Sequence, residues 1–171
     1  VKDDKGVHEQ LSYAMSEDGG KSFVKQHPNP FYYAPNECIS REFRDPKVFK
    51  DNNKYYCLIG AERKENLGTI VYYESDNLKD WTFKGEIKTS FFGNGFMWEC
   101  PDYLKFDDKG VLIFSPQGLK AEGDKYKNIF QSGYLIGENI DFSNGEFKHG
   151  EFTELDRGFD FYAPQTMTDD K

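Results

Sequence analysis

The sequence predicts an all-β fold and, within that class, part of a β-propeller. Three observations carry this reading. Short apolar and β-rich runs recur between turn signals made of Gly, Asp and Asn. No segment sustains a helical period. The apolar complement is aromatic, with 16 Phe and 11 Tyr among 171 residues, and aromatic side chains favour pleated surfaces over helices.

The elements follow in order along the chain. Val7 to Met15 reads as a strand, Glu17-Asp18-Gly19-Gly20 as a tight turn, and Ser22 to Lys25 as the return strand. Pro28, Pro30 and Pro35 mark an irregular loop. Four strands are expected next: Phe43 to Phe49, Tyr55 to Ala61, Thr69 to Glu74 and Trp81 to Gly85. Asp51-Asn52-Asn53, Glu65 to Gly68 and Ser75 to Asp80 supply the turns between them. A second set comprises Cys100 to Phe106, Val111 to Ser115, Phe130 to Ile136 and Glu146 to Phe152. Its first turn is Asp107-Asp108-Lys109-Gly110. Strands in groups of about four suggest propeller blades, and a two-sheet sandwich is the alternative. Asp45 and Glu99 favour the propeller. They fall early in the first strand of successive groups, 54 residues apart, near the ~40–50 residue period of blades. Innermost strands converge on the propeller axis, so both carboxylates would face one pocket.

Length and charge bound the function. A chain of 171 residues is about one domain. A net charge of −8 disfavours nucleic acid and anionic membrane as partners, and no apolar run is long enough to span a bilayer. Cys38, Cys57 and Cys100 form no spaced disulfide framework, which makes the cytoplasm the simplest location. His8, His27 and His149 are isolated and show no ligand spacing, so neither a metal nor another cofactor is expected.

Two motifs carry chemistry. Trp98-Glu99-Cys100-Pro101-Asp102 sets a carboxylate beside an aromatic ring, and an apolar wall raises a carboxyl pKa toward that of a general acid. Phe43-Arg44-Asp45-Pro46 sets a carboxylate after an arginine, which favours the anion. One acid and one anion is the division of labour in glycoside hydrolysis. The bland alternative is that both motifs are polar ends of strands. Trp98 either stacks on a sugar or fills the core. Tyr162 and Gln165 either line the pocket near Glu99 or, for Tyr162, pack as a core aromatic. Cys100 lacks a histidine in either motif to activate it as a nucleophile.

The chain resembles glycoside hydrolase family 32. The resemblance runs through Gly6-Val7-His8-Glu9-Gln10, Ser16 to Phe23, Phe43-Arg44-Asp45-Pro46-Lys47-Val48-Phe49, Met97-Trp98-Glu99-Cys100-Pro101-Asp102, Ser115-Pro116-Gln117-Gly118, Gln131-Ser132-Gly133-Tyr134 and Phe159-Asp160-Phe161-Tyr162-Ala163-Pro164-Gln165. It implies a five-bladed β-propeller with a funnel-shaped axial pocket, residues 1–171 covering roughly blades two to four as a partial catalytic domain. The first blade and a C-terminal β-sandwich would lie outside the chain. The resemblance implies a retaining hydrolase that releases fructose from sucrose, sucrose 6-phosphate or fructans. Glu99 would be the acid/base and Asp45 the transition-state stabiliser. Arg44, Trp98, Tyr162 and Gln165 would bind the small carbohydrate substrate. The family's nucleophile lies in an Asn-Asp-Pro-Asn-Gly turn that this sequence does not contain, so the isolated chain is expected to hydrolyse nothing. Two other readings stand beside this one: a related five-bladed arabinosyl or xylosyl hydrolase, against which the Glu-Cys-Pro segment speaks, and a non-catalytic carbohydrate-binding propeller.

Overall fold

The computed structural model describes residues 2–3, 6–7, 9–27, 32–35 and 39–167. His8, Pro28, Pro30 and Cys38 fall outside the described residues. Among the described residues every regular element is a strand. Where one strand was expected from Val7 to Met15, the chain forms three two-residue strands with three different partners. β1 (Lys2–Asp3) pairs with β2 (Gly6–Val7), β3 (Gln10–Leu11) with β6 (Tyr32–Tyr33), and β4 (Ala14–Met15) with β5 (Val24–Lys25). The β4–β5 turn is the expected one. The Asp18 carboxylate accepts from the backbone N–H groups of Lys21 and Ser22, and Ser16 Oγ accepts from the Gly20 N–H.

Two antiparallel four-stranded meanders follow. The first is β7 (Ile39–Asp51), β8 (Lys54–Arg63), β9 (Leu67–Ser75) and β10 (Trp81–Glu86). The second is β11 (Met97–Phe106), β12 (Lys109–Gln117), β13 (Gly133–Glu138) and β14 (Thr153–Glu154). The turns explain the registers. Asn52 and Asn53, at φ 47 and 66, close the β7–β8 hairpin between Asp51 and Lys54. Asparagine tolerates this left-handed conformation better than most residues, and two such residues match the strand twist. Asn66 at φ 62 does the same for β8–β9. The expected outer strand Glu146 to Phe152 is shorter and later than its alternation suggested. His149 makes one isolated bridge to Gly137, and regular pairing is confined to β14 against Gly133 and Tyr134.

Period-two alternation splits β8 and β9 between two cores. Tyr56, Leu58, Ile70 and Tyr72 face the second meander and join Trp98, Leu112, Phe114, Leu135 and Phe142 in one buried cluster. Cys57, Ile59, Ala61, Val71 and Tyr73 point the other way and pack with Leu11, Ile39 and Phe43. The meanders are therefore stacked face to face through aromatic rings, among them Tyr56–Phe142 with centroids 4.3 Å apart. Two glycines permit the close approach. A Cβ on Gly60 would lie 2.2 Å from the Trp98 carbonyl oxygen, and one on Gly68 would lie 2.2 Å from Trp98 Cδ1. Among the described residues no helix is long and apolar enough to cross a membrane.

Candidate active site

β7 and β11 are the edge strands of their sheets and lie side by side. The contacts between them keep an almost constant offset, so the strands run in the same direction. Arg44 reaches Glu99, the Cys100 N–H donates to Asp45, and Lys47 pairs with Asp102, each across 55 residues of sequence. Lys105 pairs with Asp51 at 2.9 Å.

Both edge strands carry the same defect. The ladder slips between Arg44 and Lys47 on β7 and between Glu99 and Asp102 on β11. In each slip two residues, Asp45-Pro46 or Cys100-Pro101, face a single residue of the neighbouring strand, so one residue is extra. Proline has no N–H for a ladder, so bulges and edge strands are where it fits. The residue before each proline is left-handed, Asp45 at φ 60 and Cys100 at φ 49, although pre-proline residues ordinarily favour extended backbone. Ala163, before Pro164, repeats the conformation at φ 53. This changes the expected correspondence of motifs. Asp45 matches Cys100 rather than Glu99, and the residues that share a position are Arg44, Glu99 and Tyr162.

Those three side chains meet. Arg44 Nε and Nη2 both donate to Glu99 Oε1, at 2.9 and 2.7 Å. The other oxygen, Oε2, accepts from the Tyr162 hydroxyl and from Gln117 Nε2, the latter at 2.6 Å. Arg44 Nη1 donates to Glu9 at 3.1 Å and to Glu42. Glu9 also accepts the Phe43 N–H at 2.7 Å. Three carboxylates thus surround one guanidinium, whose pKa is raised by hydrogen bonds to Glu99, Glu42 and Glu9 in spite of partial burial. The arginine in the Arg-Asp-Pro turn serves Glu99 and not its own neighbour. Asp45 Oδ2 instead accepts the Cys100 backbone N–H at 3.1 Å.

The expectation for Glu99 is corrected. Burial alone pushes its carboxyl pKa up, but hydrogen bonds from Tyr162, Arg44 and Gln117 and the charge of Arg44 outweigh burial and leave it below the ordinary carboxylate value. The aromatic wall invoked from sequence is absent because side chains alternate along a strand. Glu99 faces the polar cluster, while Trp98 points to the opposite side. Tyr162 responds in the other direction. Burial and the Glu99 carboxylate push its hydroxyl well above the usual range, so it remains a donor. Cys100 is raised to about 12, first by burial and then by Asp45. It is not a thiolate nucleophile at neutral pH.

Trp98 is also corrected. Its ring is fully buried, packs on Phe114 with centroids 4.7 Å apart and donates Nε1–H to the Asn94 carbonyl at 2.7 Å. No face is open to a sugar. Gln165 is exposed and lies beside Thr166. Glu9 and Gln117, which lie in quoted motifs, and Glu42, which does not, were not named as site residues from sequence. Gln117 sits two positions along β12 from Ser115, the partner of Glu99, a diagonal within reach of a long side chain. Among the described residues, no group of three or more His, Cys, Asp or Glu side chains is arranged to hold a metal.

Comparison with known proteins places this geometry in context. The profile described as "Glycosyl hydrolases family 32 N-terminal domain" matches residues 1–171. The sucrose-6-phosphate hydrolase of Bacillus subtilis is 45% identical over 175 residues, covering 100% of this chain and 36% of that protein. That of Staphylococcus xylosus is 42% identical over 156 residues, covering 91% of this chain and 31% of that protein. The chain thus spans about a third of the length of the curated relatives it matches. A mutant of the Bombyx mori GH32 beta-fructofuranosidase, solved in complex with sucrose, superposes with a TM-score of 0.86 at 40% identity. The match covers 99% of this chain and 36% of that one. A sucrose-6-phosphate hydrolase from Lactobacillus gasseri gives a TM-score of 0.82 at 35% identity, over 96% of this chain and 34% of that one.

Proposed function

The chain belongs to glycosyl hydrolase family 32, and from that premise we propose that it carries the acid/base half of an enzyme that releases fructose from sucrose, sucrose 6-phosphate or a fructan. The observation that carries the reading is the setting of Glu99. Its carboxylate is held on both oxygens by groups from three separate segments, beside the Asp45 turn.

A retaining glycosidase asks one carboxyl group to give a proton to the leaving oxygen and then to take one from water. Glu99 is under opposing influences suited to that exchange. Burial favours the acid, and hydrogen bonds favour the anion. A sugar seated over the cluster displaces water and strengthens the first influence, since desolvation penalises the charged form. Tyr162 and Gln117 then keep the carboxyl aimed at one side. Asp45, fixed by the Cys100 N–H, supplies negative charge and a hydroxyl acceptor for the oxocarbenium-like transition state. We assign no nucleophile within residues 1–171. The retaining path takes a third carboxylate from the two thirds of the relatives' length that this chain does not span.

The two meanders are read as complete blades of a five-bladed ring, flanked by parts of two others. An apolar groove of about 140 Å³ lined by Leu11, Val48, Cys57, Ile59, Tyr73 and Trp81 supports further packing on the outer face of the first. The location proposed is the cytoplasm, which suits the free thiols of Cys57 and Cys100.

The test is Glu99→Gln in the full-length protein, followed by fructose release from sucrose and from sucrose 6-phosphate. The rate should fall by roughly 10²–10⁴, and by less for a substrate whose leaving group needs no protonation. Fructose release by the variant at the wild-type rate would overturn the assignment.

A further inference from the structure

We propose that Asp102 is a positioning residue whose buried carboxylate holds the three segments of the site in register. The inference rests on the reading of Glu99 given above. Asp102 lies on β11 three residues beyond Glu99 and is completely buried. Its Oδ2 takes three donors: Lys47 Nζ at 3.0 Å, the Thr166 N–H at 2.7 Å and Thr166 Oγ1 at 2.8 Å. Lys47 Nζ also donates to the Thr166 carbonyl at 2.7 Å. These bonds close a ring across three segments, one level along the strands from the Arg44–Glu99–Tyr162 cluster. Lys47 stands three residues beyond Arg44, and Thr166 stands four beyond Tyr162.

Stability alone does not account for a charge at this place. Buried ion pairs recover their desolvation cost only with good geometry, and apolar replacements are often neutral or better. Asp102 Oδ1 has no hydrogen-bond partner among the described residues, so even this pair is incompletely compensated. What the carboxylate provides is position. β7 and β11 are held by sheet ladders, but residues 161–167 belong to no strand. That segment is tied down by Thr166 on Asp102 and by the Ala163 N–H donating to Ser132 Oγ at 3.1 Å. Tyr162 lies between the anchor and the solvent-facing loop, and its hydroxyl reaches Glu99. Releasing Thr166 removes one of the restraints that place this donor and leaves the Ala163–Ser132 bond and the Phe130–Tyr162 ring contact, with centroids 5.6 Å apart, as the others.

Two variants test the proposal in the full-length protein. Asp102→Asn keeps the shape of the side chain and removes its charge. Thr166→Val removes one donor, leaves every charge in place, and carries the test if the first variant fails to fold. The readout is the titration of the Glu99 carboxyl, followed by carbon-13 NMR of labelled glutamate and assigned by its loss in Glu99→Gln. Besides Tyr162, the ionisable groups that face Glu99 are Arg44 from β7, with Glu9 and Glu42 beyond it, and Cys100 at the bulge, with Asp45 beyond it. Removing the Asp102 charge and freeing Lys47 lowers the Glu99 midpoint by electrostatics alone, since a nearby anion disfavours and a cation favours ionisation. Loss of the Tyr162 donor raises it. Thr166→Val, which keeps every charge, is therefore expected to raise the midpoint, and in Asp102→Asn the lost charge offsets part of the rise; both are expected to lower kcat/KM for fructose release on the order of 10-fold. A midpoint that stays in place or falls in both variants would overturn the proposal, even if their melting temperatures drop. The titration needs no turnover, so an absence of fructose release counts against the proposed reaction and leaves this reading to be judged by the midpoint.

Discussion

Gly68 lies against the Trp98 indole where the two meanders meet, and exchanging their volumes gives a decisive measurement. Trp98→Ala empties a fully buried site, and truncating a buried large aromatic costs about 3–5 kcal/mol. Gly68→Ala does the opposite. Its methyl would lie 2.2 Å from Trp98 Cδ1, 2.6 Å from Nε1 and 2.9 Å from Cγ. The indole has little room to retreat, because Phe114 and Phe91 stand at centroid distances of 4.7 and 5.6 Å. Overpacking of this kind costs about 1–3 kcal/mol. In the double variant the same methyl enters space the indole has vacated and recovers about 0.8 kcal/mol of burial. Gly68→Ala should thus destabilise the parent and stabilise the Trp98→Ala background. The coupling should be about 2–3 kcal/mol, at the upper end of what contacting residues show. Urea unfolding of the four proteins, followed by circular dichroism, measures it. Effects that add within about 0.5 kcal/mol would refute the packing argument. So would a Trp98→Ala protein of normal stability whose KM for sucrose rises, because that result describes an open sugar platform.

Three more outcomes follow from the geometry. Asp45→Asn should lower kcat roughly 10²–10³-fold while KM changes little, because its charge matters most as positive charge develops on the sugar; steady-state kinetics showing a pure KM effect would demote Asp45 to a substrate holder. Asn53→Gly should stabilise the β7–β8 turn by about 0.5–1 kcal/mol, since residue 53 sits at φ 66, where glycine is unstrained; thermal melts decide, and a destabilised variant would contradict the turn geometry. Glu99 titrates below its ordinary value of 4.5 in the folded protein. Its contribution to stability is therefore complete above that value and is lost as pH falls through the folded pKa. Melting temperature against pH should show a shallower acid limb in Glu99→Gln, and an unchanged limb would mean that the carboxylate gains nothing from its partners.

The parts of the fold legible in the sequence are those written in local chemistry. Asn52-Asn53, Asp107-Asp108 and Glu17 to Gly20 name their turns by residue type and the hairpins they close are found, the last with a return strand that begins at Val24 rather than Ser22. The N-terminal stretch was misread because alternation from Val7 to Met15 says that residues are extended but not with whom they pair; three partners divide it. The site was half legible. Both proline motifs come together, and Tyr162, left open between pocket and core, joins them. The electrostatic sign at Glu99 was not legible, because it depends on which side of β11 faces the cluster and on Arg44 crossing to the neighbouring strand. The roles of Gln117 and Asp102, residues that stand inside the quoted motifs, were hidden for a related reason. Each acts through a partner at least 18 positions away, and no short motif records such a distance.

The left-handed residue before proline recurs on three successive segments, at Asp45, Cys100 and Ala163. The position just ahead of it holds Arg44, Glu99 and Tyr162, a base, an acid and a phenol. One backbone mould thus delivers three unlike functional groups to a common focus. The mould consists of main-chain geometry, so it tolerates replacement of the group it displays. For protein engineering this separates two tasks that are usually entangled. The proline and its left-handed neighbour are the fixture and should be left alone; the residue ahead of them is a socket, one per repeat, where chemistry can be rewritten by single substitutions. Ancestral duplication of such a unit would supply new catalytic combinations without a new fold.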